Sequence, residues 1–218
     1  MGNIKLVVLD LDGTVVKYSG RWHCSWDAIA VASGTKEEQD KLCDHYYPRK
    51  DKYDERLQKN AELLVGIKIS EMGKSIFPPP YADGVKDAVR FFKDKNCICG
   101  LFSSGVDFVA DRIKSDLSLD FSVANKLDVS DGAFTGAAKK RVHLLDKGKR
   151  LAELANEFNI PLSQVLFIGD EENDISAMDV CGHSIAFNPN TSEVRDAADV
   201  SFDCWHKIRE YVENEFFN

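Results

Sequence analysis

The stretch Lys5-Leu6-Val7-Val8-Leu9-Asp10-Leu11-Asp12-Gly13-Thr14 decides how the rest of the chain is read. Its apolar run over residues 5–9 ends abruptly in Asp10, the pattern of a strand buried on both faces that opens into a loop at its carboxyl end. Similar runs occupy 98–102, before Ser103, and 165–168, before Gly169, and a fourth spans 184–187. Between them the apolar residues recur at helical spacing, as in Val85, Ala88, Val89 and Phe92. Leu151, Leu154, Ala155 and Phe158 repeat that pattern before Pro161 ends it. Strands alternating with helices predict an α/β fold, a central parallel sheet covered by helices on both faces. Such sheets bind ligands in the crevice beyond the carboxyl ends of their strands, so the polar residues just after each strand are the ones to weigh.

Residues 16–80 break the alternation, showing helical patterns and no buried strand. Thr35-Lys36-Glu37-Glu38 reads as a capping box opening a helix toward Tyr47. A second helix is expected over 53–65 and a shorter one over 70–77, before Pro78-Pro79-Pro80 stops helix formation. The expectation is a core made of residues 1–15 and 81–218, with a small helical cap, residues 16–80, inserted after the first strand.

Composition limits the function classes. The 218 residues are 44% hydrophobic and 29% charged, a globular balance, with a formal charge of −8. An acidic chain argues against nucleic acid or an anionic membrane as partner. Without a membrane-length apolar run or a signal-like start, a cytoplasmic location is expected. The six cysteines lack a paired metal spacing, so they read as packing residues rather than as a disulfide framework or zinc site.

Four segments carry candidate chemistry. Asp10 and Asp12 stand two apart at a strand end, with Gly13 permitting a sharp turn. Ser103-Ser104-Gly105 lies where a strand is expected to meet a helix, placing a hydroxyl and amides for an anion. Lys147 is a point cation just before the Leu151 helix. Gly169-Asp170-Glu171-Glu172-Asn173-Asp174 follows another strand. Each has a plainer reading alone: a turn, a helix cap, a solvated lysine, a loop. Together they converge on one crevice, where close carboxylates require a cation and all-oxygen ligands favour Mg2+. Magnesium, hydroxyl, amides and lysine suit a phosphate. Two segments mimic other sites. Gly73-Lys74-Ser75 ends like a nucleotide-binding loop but lacks its earlier glycine, and the basic residues at 139–141 and 149–150 read as a solvated face.

These four segments, in this order, resemble the motifs of the haloacid dehalogenase-like hydrolase superfamily. Segments 123–127 and 131–136, with the position of the helical insertion, are similar to its phosphoserine phosphatase-like branch. The resemblance implies a three-layer α/β sandwich and a magnesium-dependent phosphatase acting on a small phosphorylated metabolite through an aspartyl-phosphate. It implies Asp10 as nucleophile and Asp12 as acid and then base. Asp10, Asp170 and the Asp12 carbonyl would hold the metal, with Asp174 orienting its waters from behind. Ser104, Gly105, Lys147 and Asn173 would meet the phosphoryl group.

The sequence also departs from the branch. Glu171 stands where the pattern has glycine, Ser19 falls near the position of an ammonium-reading glutamate, and the carboxylate-reading cap arginine has no matching position, although Arg49 and Arg56 are in the cap. Phosphoserine itself is therefore left open. Trp22 and Trp26, at helical spacing, read as cap core, and His23 as exposed or capping. A phosphotransferase or phosphomutase, or a binding module on the same scaffold, are the alternatives.

Overall fold

The computed structural model describes residues 4–21 and 23–217, so the expectation for Trp22 lies outside the described residues. Seven strands form one sheet: β1 (Leu6–Leu9), β2 (Ile98–Val106), β3 (Phe121–Ser130), β4 (Ala133–Lys139), β5 (Val165–Gly169), β6 (His183–Phe187) and β7 (Val200–Phe202). Their order is β4-β3-β2-β1-β5-β6-β7. Every neighbouring pair is parallel except β3 and β4, which are antiparallel. The expected parallel sheet is present, with one antiparallel pair added at its β4 edge. The β3–β4 hairpin turns on Asp131-Gly132, both at positive φ, which is the geometry a tight two-residue hairpin turn requires.

Between β1 and the next core helix lie α1 (Ser25–Ser33), α2 (Lys36–Tyr46), a 3-10 turn (Lys50–Lys52), α3 (Tyr53–Glu62) and α4 (Ile69–Ile76). The chain leaves and returns at adjacent points. Lys17 N donates to Pro80 O at 2.8 Å and Ala82 N to Val15 O at 2.9 Å. The capping box expected at Thr35 does not form: its Oγ1 meets Ser33 Oγ at 2.7 Å, and α2 begins at Lys36 without a side-chain cap. Gly73-Lys74-Ser75 lies inside α4, on a helix rather than a phosphate loop.

The remaining helices cover the sheet. Helices α5 (Val85–Asp94), α6 (Asp107–Leu117) and α10 (Trp205–Phe216) take one face; α7 (Lys147–Glu157), α8 (Ile175–Met178) and α9 (Ser192–Ala197) take the other. Strand β1 shows why it reads as continuously apolar. Val7 and Leu9 join the core with Val85, Val89 and Ile208, while Leu6 and Val8 join the core with Leu151 and Phe167. The three-layer α/β sandwich follows. Leu9 sits opposite Leu101 of β2 and Ile168 of β5, so β1 and β5 end together at one edge of the sheet, while β2 runs on past them to Val106. No helix among the described residues is long and apolar enough to cross a membrane.

Candidate active site

At that shared edge Asp10 leaves β1 and Asp170 leaves β5, while Lys147 enters as the first residue of α7. Asp10, Asp170 and Asp174 are all buried and bring one carboxylate oxygen each within 4.8 Å of the others. Lys147 is entirely buried between them, its Nζ 2.6 Å from Asp10 Oδ1 and 2.6 Å from Asp174 Oδ1. Thr14 Oγ1 donates to Asp170 Oδ1 at 2.7 Å. Asp174 Oδ2 accepts the amides of Asp170 and Glu171 at 3.0 and 3.2 Å. With Lys147 on its other oxygen, Asp174 is held on all sides, whereas Asp10 and Asp170 keep lone pairs to offer.

One ammonium cannot balance this much negative charge. Burial, with neighbouring Asp174, pushes Asp10 well above the usual carboxylate range even though Lys147 pulls it down. Burial and then Asp10 and Asp174 push Asp170 up in the same way. Against the burial that would lower it, Asp10 and Asp174 hold the Lys147 ammonium above its ordinary value. An all-oxygen donor set crowded to this degree fits a hard divalent cation.

Asp12, two residues on, faces the cleft instead. Ser25, at the start of α1, donates its amide to Asp12 Oδ1 at 2.8 Å and its hydroxyl to Oδ2 at 2.9 Å. Burial nevertheless pushes Asp12 up to about 7, with the Ser25 hydrogen bonds opposing the rise. A carboxylic acid poised there can give and take a proton near neutral pH.

The glycines around the cluster are packed against it. Gly13 has φ +90°, and a Cβ on it would lie 2.0 Å from Asp170 Oδ2; a Cβ on Gly169 would lie 2.4 Å from Asp174 Oδ2. Gly13→Ala should therefore displace Asp170. An ångström of misplacement at such a site can cost about 100-fold in turnover, and that loss, with a lower melting temperature, is the expected outcome of kinetics and thermal denaturation on the variant. A variant with wild-type turnover would contradict this packing.

Above the cluster a cleft of about 840 Å3 opens between the helical insertion and the strand ends. Asp10, Asp12, Ser103, Ser104, Gly105 and Asn173 line its core side; Asp170, Asp174 and Lys147 lie beneath. Asn173 Oδ1 is buried there with no protein partner. The expected strand-to-helix junction at Ser104 is displaced: β2 continues through Val106, α6 begins at Asp107, and the Gly105 amide donates to Ser103 Oγ at 3.0 Å. Arg21, His23, Lys50 and Arg56 reach the cleft from the insertion. Trp26 is buried in the core and also borders the cleft, whereas Ser19 is exposed and outside its lining. Arg49 bonds His45 at 2.9 Å, away from the cleft. Glu171 lines the cleft and caps the 3-10 turn Glu172–Asp174, outside the carboxylate trio. Sequence reasoning had no signal for Ser25 as the partner of Asp12, because a serine before a helix usually caps its own helix.

This sheet with carboxylates at two strand ends and a buried lysine defines a class, and the comparisons with known proteins agree with it. A haloacid dehalogenase-like hydrolase model matches residues 4–182, and the chain belongs to that family. Its place within the family is the phosphoserine phosphatase-like branch, and as a class it is a phosphoric monoester hydrolase. It is 30% identical over 184 residues to phosphoserine phosphatase of Methanocaldococcus jannaschii, covering 84% of this chain and 85% of that one. It is likewise 30% identical to phosphoserine phosphatase of Saccharomyces cerevisiae, covering 84% of this chain but only 59% of the yeast protein. A solved phospho-aspartyl intermediate analogue of phosphoserine phosphatase superposes with a TM-score of 0.77 at 28% identity, covering 96% of this chain and 99% of that one.

Proposed function

We propose that the chain hydrolyses a small phosphomonoester in two steps at this cleft, with residues 16–80 acting as a cap that limits substrate size. Asp10 attacks phosphorus and forms the aspartyl-phosphate, and the bond to the leaving oxygen breaks. Asp12 gives its proton to that oxygen, then takes a proton from the water that attacks the aspartyl-phosphate, releasing inorganic phosphate and restoring Asp10. The Ser104 hydroxyl, Lys147 and Asn173 bind the phosphoryl oxygens, where charge spreads in the transition state, and the Gly105 amide joins them by exchanging its bond to Ser103 Oγ for one to the substrate. The orphaned Asn173 Oδ1 at the cleft wall suits a hydroxyl or ordered water of the bound substrate.

Asp10 and Asp170 side chains with the Asp12 carbonyl would hold Mg2+, and Asp174, already anchored by two amides, would orient its waters. Magnesium, when bound, supplies the positive charge that lets these carboxylates remain ionised together beside a phosphate. The substrate is a small phosphorylated metabolite, as the relatives' names suggest. Arg56 favours a leaving group that carries its own negative charge, whereas Arg21 and Lys50 are paired with Asp44 and Glu172.

The observation that carries this reading is the single buried lysine shared between Asp10 and Asp174 under the cleft floor. The test is phosphate release from a panel of small phosphomonoesters, phosphoserine included, with magnesium or with chelator. Turnover should require the metal and fall at least about 100-fold in chelator. Equal rates in the two conditions would reject the metal assignment, and the ranking of the panel identifies the leaving group.

A further inference from the structure

Behind Ser104 lies a buried polar group to which the proposed chemistry gives no task. Asn125, on β3, is fully buried, and Tyr53, the first residue of α3, is 2% exposed. The Tyr53 hydroxyl donates to the Ser104 carbonyl. Asn125 Nδ2 donates to the Tyr53 hydroxyl at 2.7 Å and to the Ser104 carbonyl at 2.8 Å. Asn125 Oδ1 accepts the amides of Arg141 and Val142 at 2.7 and 3.0 Å.

The accounting is complete. Both amide hydrogens and both lone pairs of Asn125 are used, and the Ser104 carbonyl takes two donors. The amide can have only this orientation, because turning it over would set its NH2 against two backbone N–H groups. A fully satisfied buried network of this kind fixes its members rigidly, since losing one bond leaves a polar group without water to replace it.

Its members come from three places that matter to the site. Ser104 is the hydroxyl proposed for the phosphoryl group, 141–142 begins the segment that delivers Lys147, and Tyr53 belongs to the helical insertion. Resting on the proposed function above, we propose that Tyr53 and Asn125 are positioning residues: they clamp the Ser104 peptide so that its hydroxyl faces the phosphoryl group, and they make that aim depend on α3 being docked. Arg56, whose guanidinium lies 5.1 Å from the Tyr53 ring centroid, places a cleft-lining charge on the same helix. Docking of α3 therefore brings the leaving-group side and the phosphate side into register together.

Tyr53→Phe tests this without emptying the core, because the ring is kept and only the hydroxyl is removed. The expected result is about a ten-fold fall in kcat/KM, similar for every ester in the panel, with weaker inhibition by inorganic phosphate and unchanged magnesium affinity. A merely structural hydroxyl would lower the melting temperature without changing phosphate inhibition. The cycle with Ser104→Ala is the sharper arm. If Tyr53 acts through Ser104, Tyr53→Phe costs less than about two-fold in the Ser104→Ala background; costs that simply multiply overturn the clamp. Asp10→Asn, run alongside, separates the two levels. Turnover that survives in Asp10→Asn overturns the reading of the site and the clamp with it. Turnover lost there but unchanged in Tyr53→Phe overturns the clamp alone.

Discussion

Asp10→Asn should reduce phosphate release by about 10^4-fold or more and, in the metal-free protein, raise the melting temperature. The loss follows from replacing the carboxylate proposed to attack by an amide of the same shape, at a site whose residues would act as a unit. The gain in stability follows from crowding. Asp10, Asp170 and Asp174 share one ammonium, and burial pushes Asp10 well above its ordinary range. A carboxyl whose folded pKa is raised is more stable neutral in the native state; as pH rises from its unfolded value toward the folded one, ionisation draws stability away. Asparagine cannot ionise, so at neutral pH it escapes that penalty while its Oδ1 still accepts from Lys147. For a chain of this size each kcal/mol corresponds to about 2–4 °C. Thermal denaturation in chelator should show a rise of a few degrees. Added magnesium should then stabilise the variant less than the wild type, because one of the proposed ligands has gone. A variant that is inactive and also less stable in chelator would show that Asp10 holds the fold together rather than being strained for chemistry.

Much of this site was legible because its parts sit at strand ends. The run before Asp10, the run before Gly169 and the alternation with helices place both carboxylate segments on one edge, and the register of β1 with β5 puts them level. What stayed hidden depends on partners far apart in the chain. Ser25 meets Asp12 across 13 residues and Asn125 meets Tyr53 across 72, and nothing local to either member announces the other. In the sequence Lys147 reads as a point cation, and a lysine before a helix is ordinarily solvated. Its burial appears only when Asp10, 137 residues away, and Asp174 close around it. The β3–β4 hairpin is a different case, since Asp131-Gly132 is a hairpin signal in its own right. The flanking strands are half exposed and polar, and β4 includes Gly136, so neither has the apolar run that revealed the core strands. The capping box at Thr35 failed for a local reason. Thr35 has φ −105° and ψ 19° instead of the extended backbone of an N-cap, and its hydroxyl turns back to Ser33 Oγ, which itself donates to Ala30 O.

Lys147→Met is the second large effect, and it separates a buried counter-ion from a surface cation. Methionine fills nearly the same volume, so the packing of the first turn of α7 survives and the charge alone is removed. Three buried carboxylates then face one another with no protein cation between them. Breaking a buried ion pair from one side costs about 3–5 kcal/mol, because the remaining charge is left uncompensated. Here two partners are orphaned at once, and at about 2–4 °C per kcal/mol the melting temperature in chelator should fall by roughly 6–20 °C. Turnover should fall with it, since Asp10 then holds its proton more tightly and the phosphoryl oxygens lose the cation proposed for them. The two contributions can be told apart by magnesium. A divalent ion bound as proposed would stabilise the wild-type cluster against the repulsion that Lys147 only partly relieves; in Lys147→Met it would meet the whole of that repulsion. The magnesium-induced rise in melting temperature should therefore be larger in the variant than in the wild type, while turnover remains low at saturating metal. A lysine that served only as a solvated charge near the phosphate would behave differently, with unchanged stability in chelator and an equal response to magnesium. The 2.6 Å contacts of its Nζ with two buried carboxylates are why the first pattern is the expected one.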